Sequence, residues 1–267
     1  ILFLLAFLAS WRLIPASMRA TMIEYQGVWK SFGDKAVLRG IELTVREGET
    51  FFVLGKTGAG KTVMIRLLVG LVKSEQGSIR IDGEDVSGLT EDGFQKVRLK
   101  CGMVFQLPTL FDSLPVYENV AFGLRRAGQY SEDEIKRRVE SGLRRVEIDP
   151  AVGERMPDEL SFGEQKRVGL ARTLALEPRY LLYDEPTTGL DPFTANRISR
   201  LIRQLNRDLN TTSIVVSHDM ESMVQIADRV GLLWDGRFRF VGTVDEFMAS
   251  GDPGVNEFKK GLARRGR

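Results

Sequence analysis

Gly55-Lys56-Thr57-Gly58-Ala59-Gly60-Lys61-Thr62 follows the apolar run Thr50-Phe51-Phe52-Val53-Leu54 and opens a segment of helical period that runs from Gly60 to about Val72. A strand that ends in G-x-x-x-x-G-K-S/T and passes directly into a helix is the P-loop arrangement. Its glycines let backbone N–H groups turn toward phosphate oxygens, and the helix N-terminus adds partial positive charge. In this reading Gly55 to Thr62 cradle a nucleotide. Lys61 reaches its β and γ phosphates, and the Thr62 hydroxyl ligates Mg²⁺. The bland alternative is a glycine-rich turn, against which the flanking strand and helix argue.

The surrounding pattern supports a sheet-and-helix architecture. Ile23–Phe32 and Val37–Val45 are β-rich runs, followed by a turn over Arg46–Glu49 and the strand before the P-loop. Gly77–Val86 reads as a strand pair bent at Asp82-Gly83, and Cys101–Gln106 as a further strand. The period then turns helical until about Leu176, with Ser131 and Glu134 forming a capping-box pattern ahead of Ile135–Val146. Residues 107–170 therefore read as an inserted helical lobe. Strands return at Arg179–Glu185, Thr212–Ser217 and Arg229–Gly236, with helices near Pro192–Leu209 and Asp219–Asp228. The alternation predicts an α/β fold: a P-loop NTPase core of mostly parallel sheet flanked by helices, an antiparallel β subdomain and the inserted lobe.

Composition narrows the classes. A chain of 267 residues suits one large domain, and 43% hydrophobic with 28% charged residues argues against disorder and against a many-span membrane protein. Lys+Arg 38 against Asp+Glu 36 leaves a net charge of +2, too small for whole-surface capture of nucleic acid, so no nucleic-acid partner is expected. The single cysteine, Cys101, excludes an internal disulfide framework and is predicted to be buried in its strand.

The Ile1–Ala9 run is shorter than the roughly 20 residues of a spanning helix and is broken by Ser10, Arg12 and Pro15. It also lacks the basic leader of a signal peptide. With Met18 and Met22 just ahead of the first strand, residues 1–21 read as an N-terminal extension or a start-site artefact. The ATPase domain is expected over residues 22–242. Residues 243–267 read as two short helices around Gly251-Asp252-Pro253 with a basic end. The basic residues Lys259, Lys260, Arg264, Arg265 and Arg267 read as a solvated tail, with contact to anionic lipid or a neighbouring subunit as alternatives.

Two more strand ends carry chemistry. Tyr180–Tyr183 is an apolar strand ending in Asp184-Glu185, at the end where parallel strands present ligand-binding groups. Asp184 suits the Mg²⁺ shell. Glu185 is placed to orient or deprotonate an attacking water, a role worth roughly 10² to 10⁴ in rate. His218, the only histidine, ends the strand Thr212–Ser217 and is assigned to the γ phosphate. A solvated turn and a structural histidine are the competing readings of these two sites.

Taken together, these motifs resemble the ABC transporter ATPase family from about Met22 to Gly242. The resemblance implies ATP and Mg²⁺ as ligands. It assigns Phe32 to stacking on adenine, and Gln106 to the glutamine loop, with a place in the Mg²⁺ shell and in hydrolysis. Leu160-Ser161-Phe162-Gly163-Glu164-Gln165 resembles the signature loop, and Asp191 the D-loop aspartate. It further implies a head-to-tail pair with a second copy, in which Ser161 and the backbone N–H of Gly163 contact ATP held by the partner's P-loop. Phe162 stands for the usual first glycine of the signature and Glu164 for its glutamine; the serine and second glycine remain, so hydrolysis is still expected. The lobe between Gln106 and Ser161 is where the family receives a membrane permease. The apolar loop Leu107–Leu114 suits that interface, with ordinary packing as the alternative. The implied location is the cytoplasmic face of the inner membrane, peripheral through the permease.

Three features are similar to the Mla/Mce-type lipid-trafficking ATPases: Leu110–Leu114, Leu182–Pro192, and the ending Asp252-Pro253-Gly254-Val255-Asn256-Glu257-Phe258 before Gly261. They imply an MCE-domain lipid-binding protein as a further partner and a lipid cargo. The runner-up is the ATPase of a solute importer such as an amino-acid system; only about fifty residues follow His218, few for the extra C-terminal β domain of the sugar and polyamine branch. A soluble ABC ATPase acting on ribosomes or DNA would show two ATPase halves or a long coiled coil, and neither pattern is present. A regulatory module without turnover is disfavoured by the presence of both Glu185 and His218.

Overall fold

The computed structural model describes residues 21–263. The Ile1–Ala9 run and Arg264, Arg265 and Arg267 lie outside the described residues. Its centre is β3 (Thr50–Leu54), buried at every position and hydrogen-bonded on both sides, to β8 (Thr212–Ser217) and β9 (Arg229–Trp234), parallel to each. β7 (Tyr180–Asp184) and β6 (Cys101–Val104) extend the sheet beyond β8, and β10 (Arg237–Thr243) closes the other edge, giving the order β10-β9-β3-β8-β7-β6. Only the β9–β10 pair is antiparallel. Continuous apolar runs such as Phe51–Leu54 and Ile214–Val216 are what a strand covered on both faces requires. Alternation then sends Phe52 and Leu54 into one core and Phe51 and Val53 into another.

The second core lies against a four-stranded antiparallel sheet of β1 (Thr21–Phe32), β2 (Lys35–Arg46), β4 (Gln76–Ile81) and β5 (Glu84–Asp85), in the order β2-β1-β4-β5. The bend at Asp82-Gly83 is a tight hairpin turn with φ of 54° and 79°, both in the left-handed region that its twist demands. α1 (Lys61–Leu68) follows the P-loop and stops short of Val72, because Gly70 turns to φ 71° with its Cα face against the Phe94 ring. α2 (Glu91–Lys100) was not expected from the sequence: only Phe94 and Val97 are buried, too thin a stripe to read as a helix.

The lobe is built from α3 (Val116–Ala127), α4 (Glu132–Arg145), short 3₁₀ turns at Pro150–Glu154 and Pro157–Glu159, and α5 (Phe162–Leu174). Half of the expected capping box at α4 forms. Ser131 accepts from the Glu134 N–H at 3.3 Å, but the Glu134 carboxylate turns to Arg137 and Arg138 instead of the Ser131 amide. β6 ends at Val104, two residues before Gln106.

α6 (Pro192–Leu209) and α7 (Met220–Ile226) complete the core, the latter shorter than Asp219–Asp228 because Asp219 is its N-cap and Ala227 its C-cap. β10 is an edge strand that the sequence reading passed over. α8 (Val244–Ala249) and α9 (Pro253–Ala263) bury Phe247, Val255 and Phe258 in the larger core. Lys259 is not a solvated charge: its Nζ donates to the carbonyls of Phe247, Met248 and Ser250 at 3.4, 3.1 and 3.3 Å, closing the C-terminal end of α8. Cys101 is buried as predicted, and burial pushes its thiol up to about 12. Among the described residues no helix is long and apolar enough to cross a membrane.

Candidate functional site

Register sets the site. Leu54 pairs with Ser217 and Val216 with Asp184, so β3, β8 and β7 finish level at their C-terminal ends, the edge where open parallel sheets bind ligands. From Leu54 the chain loops through Gly55–Gly60 into α1. Gly60 sits at φ 101°, and a Cβ there would lie 2.8 Å from Leu38 Cδ2, so no other residue lets β2 pack this closely under the loop.

Lys61 is 5% exposed. Its Nζ donates to the carbonyls of Gly55 (2.9 Å) and Lys56 (3.2 Å) and lies 3.2 Å from Glu185 Oε1. The Thr62 hydroxyl donates to Asp184 Oδ1 at 2.7 Å. The other Glu185 oxygen accepts from Ser217 Oγ (3.0 Å) and Thr188 Oγ1 (3.1 Å) and is 2.9 Å from His218 Nδ1. Thus Lys61, Thr62, Asp184, Glu185 and His218, chosen from the sequence, converge in one cluster, joined by Ser217 and Thr188.

The two neighbouring carboxyls are pushed in opposite directions. Burial raises the Asp184 pKa, and the Glu185 charge adds to this, outweighing the Thr62 hydrogen bond and Arg66. Burial also raises Glu185, but Lys61, His218 and the Ser217 hydrogen bond together hold it below the usual carboxylate range. Glu185 is therefore a charged acceptor beside the cradle, and Asp184 a carboxyl short of compensating cation. Thr62 and Asp184 offer hard oxygens to a Mg²⁺ ion, which favours one or two protein oxygens together with phosphate and water. No group of three or more His, Cys, Asp or Glu among the described residues could enclose a metal without them.

The remaining candidates stand apart from this cluster. Phe32, at the end of β1, is 51% exposed, with Lys30 Nζ 5.2 Å from its ring centre. Gln106 is exposed beyond β6, with no hydrogen bond to the cluster. Lys56 turns outward, 4.2 Å over the Trp234 ring and 3.2 Å from Glu257 of α9. Ser161, Gly163 and Asp191 line a separate hollow of ≈ 460 Å³ together with Phe162 and Glu164. There Asp191 caps α6 through the N–H groups of Phe193 and Thr194, both at 3.0 Å. Ser161 caps α5. Its hydroxyl accepts from Glu164 N–H at 3.3 Å and donates to Glu164 Oε2 at 2.7 Å, and the same oxygen accepts the Ser161 N–H at 2.9 Å.

Sequence reasoning missed four contributors, Thr188 on Glu185 among them. Ser217 was readable as the hydroxyl just before the strand-end histidine. Asn119 is fully buried and holds the apolar loop, accepting Phe111 N–H at 2.7 Å and donating to the Phe111 and Leu114 carbonyls at 3.0 and 2.8 Å. Lys166, 6% exposed on α5, donates to the carbonyls of Pro186 and Thr188. Beside the loop is a groove of ≈ 370 Å³ lined in part by Leu99, Phe105, Phe111, Phe122 and Leu176. Phe111 and Phe122 are 40% and 39% exposed around it, and Leu107 of the same loop is 62% exposed.

A family model described as ABC transporter matches residues 38–188. The chain is 37% identical over 244 residues to the intermembrane phospholipid transport system ATP-binding protein MlaF of Haemophilus influenzae, covering 91% of this chain and 92% of that protein. It is 41% identical over 228 residues to the sulfate/thiosulfate import ATP-binding protein CysA of Methylococcus capsulatus, covering 84% of this chain and 64% of the relative. Among solved structures, cbiO1 from Clostridium perfringens, part of the ABC transporter complex cbiONQ, superposes with a TM-score of 0.80 at 31% identity, over 92% of this chain and 97% of that one. The dimeric bacterial ABC transporter cassette MJ0796 gives 0.77 at 32% identity, over 84% and 99%.

Proposed function

The chain belongs to the ABC transporter family, so its ATP hydrolysis is coupled to transport, and we propose that it powers lipid trafficking of the Mla/Mce type. The observation that carries the lipid reading is the likeness to a phospholipid-transport ATP-binding protein over more than nine-tenths of both chains. The importer reading has its own support in the 41% identity to a sulfate/thiosulfate import subunit.

In this mechanism the P-loop amides and Lys61 bind the phosphates of ATP, and Phe32 stacks on adenine. Thr62, Asp184 and Gln106 would hold Mg²⁺, which neutralises phosphate charge when bound. Lys61 is paired with Glu185, so the phosphates of ATP compete with that carboxylate for the ammonium. Released from Lys61 but still held by Ser217, Thr188 and His218, Glu185 orients the attacking water and takes its proton. His218, on the same carboxylate, faces the γ phosphate.

Two copies pair head to tail, a reading supported by the dimeric cassette of the same fold. Ser161 and the Gly163 N–H of one copy then face ATP on the other, with Asp191 in the same interface. The apolar groove beside Leu107–Leu114 receives an integral-membrane permease, which holds the pair at the cytoplasmic face of the inner membrane. An MCE-domain protein completes the lipid system.

Purification of the tagged subunit from its native membrane, with hydrolysis measured beside Glu185→Gln, tests both levels. A permease and an MCE-domain protein in the eluate, with turnover abolished in the variant, is the expected result. A solute permease with a soluble binding protein selects the importer reading, and the absence of any permease refutes the transport partner.

A further inference from the structure

We propose that Lys166 is a positioning residue for hydrolysis: it clamps the loop that follows Glu185 and ties the placement of that carboxylate to the seat of α5. The inference rests on the reading of Glu185 as the carboxylate that activates water.

Glu185 has a φ of 48°, a left-handed conformation that a non-glycine residue holds only when its surroundings impose it. On the sheet side its N–H is anchored to the Val216 carbonyl at 2.8 Å. Beyond it the chain makes a tight turn in which Thr188 N–H donates to the Glu185 carbonyl at 3.2 Å. The carbonyls of Pro186, inside this turn, and of Thr188, at its end, both point at one ammonium, with Lys166 Nζ 2.8 Å from each. The sheet fixes one end of the strained residue, and Lys166 fixes the other.

An ammonium in this place is costly. Burial pushes Lys166 down to about 8, against the opposing pull of the Glu185 charge. A methionine would fill the same volume without that penalty, so what the amine adds is the pair of hydrogen bonds. Its Nζ lies over the Phe162 ring, 5.3 Å from the ring centre.

The helix that carries Lys166 also touches the other moving parts. Ser161 is its N-cap, five residues and about 7.5 Å along the axis from Lys166. Gly169 lies so close to the apolar loop that an added Cβ would stand 3.0 Å from the Pro108 carbonyl. A shift of α5, driven from the partner's nucleotide at Ser161 or from a permease at Pro108, reaches the backbone of the Glu185 turn through Lys166.

The test compares Lys166→Met, Lys166→Arg and Glu185→Gln in the full chain. Lys166→Met is expected to lower kcat by about 10²-fold, the scale of a small misplacement of a catalytic group, with KM for ATP and nucleotide affinity unchanged. Lys166→Arg, which keeps the charge and the donors, should recover most of that loss. Wild-type kcat in Lys166→Met overturns the clamp, as does a parallel fall of kcat, nucleotide affinity and Tm that Lys166→Arg does not restore. If Lys166→Met does not fold, Lys166→Arg decides: near-wild-type kcat supports the clamp, and a large loss at unchanged Tm overturns it. Normal hydrolysis by Glu185→Gln would instead refute the underlying assignment of Glu185, whatever the Lys166 variants do.

Discussion

Glu185 and Lys61 form an ion pair 3.2 Å apart across the phosphate cradle, their side chains 12% and 5% exposed. The Lys61 ammonium has three N–H donors, already directed at the Gly55 and Lys56 carbonyls and at Glu185, so this pair opposes ATP binding. Glu185→Gln is therefore expected to bind ATP at least as tightly as the wild type while turnover falls by about 10² to 10⁴. Lys61→Ala should lose nucleotide binding. Equilibrium nucleotide titration beside steady-state hydrolysis checks both. A Glu185→Gln variant that binds ATP more weakly contradicts the competition.

Glu164 holds the amide and the hydroxyl of Ser161 through a single oxygen. The hydrogen bonds keep this carboxylate below its usual pKa and therefore charged at neutral pH, one bond away from a hydroxyl proposed to meet a phosphate. Glu164→Gln preserves most of the cap and removes the charge, so ATP-driven pairing should strengthen. Gel filtration with ATP in a Glu185→Gln background reads this directly, and an unchanged dimer fraction would place the carboxylate clear of the phosphates. Glu164→Ala, which leaves the Ser161 cap in place and loses only the reciprocal bonds to its amide and hydroxyl, should cost about 1 kcal/mol of stability.

Asn119 is the internal scaffold of the apolar loop. Asn119→Ala strands the Phe111 N–H and the Phe111 and Leu114 carbonyls, at a cost of about 1–3 kcal/mol. Thermal unfolding should show the loss. ATP affinity should remain, because the loop makes no hydrogen bond to the Lys61–Glu185 cluster, while permease-stimulated hydrolysis falls more than basal hydrolysis.

Acid should loosen the start of α9. Asp252 accepts from Arg239 at 2.7 Å and from the N–H groups of Gly254 and Val255 at 2.8 and 2.9 Å. These bonds, that from Arg239 foremost, lower its pKa from 3.8 to about 2. A carboxyl with a depressed folded-state pKa contributes stability that is complete above its unfolded value and is lost as pH falls through the folded one. Asp252→Asn should therefore flatten the pH dependence of stability between about 4 and 2. Chemical unfolding at a series of acid pH values compares the two, and identical slopes would remove Asp252 from the account.

The readable parts of the molecule are those in which chemistry follows a strand end within a few residues. Gly55–Thr62, Asp184-Glu185 and His218 each announce themselves locally, and one sheet edge gathers them. What brings Thr62 to Asp184 is a hydrogen bond across 122 residues, for which no local pattern stands. β10 carried a legible alternation in Arg237, Phe238, Arg239 and Phe240, obscured by the turn signal just before it. α2 was hidden by its polarity, and the Glu134 half of the capping box was lost to two arginines that outcompete a backbone N–H. Lys166 gave no signal at all, since its carbonyl partners lie 20 and 22 residues further on.

The position of β3 also governs how a nascent chain can acquire this site. Thr50 lies opposite Ser213 and is hydrogen-bonded to Asp228, 178 residues away, and Phe51 lies opposite Arg229. The strand that launches the P-loop therefore has no neighbour on either side until the chain has been made at least as far as β8. Contacts of such separation form slowly, and an apolar strand waiting for them is a target for aggregation. A chain released before residue 212 would carry the complete P-loop motif and lack both strands that flank β3.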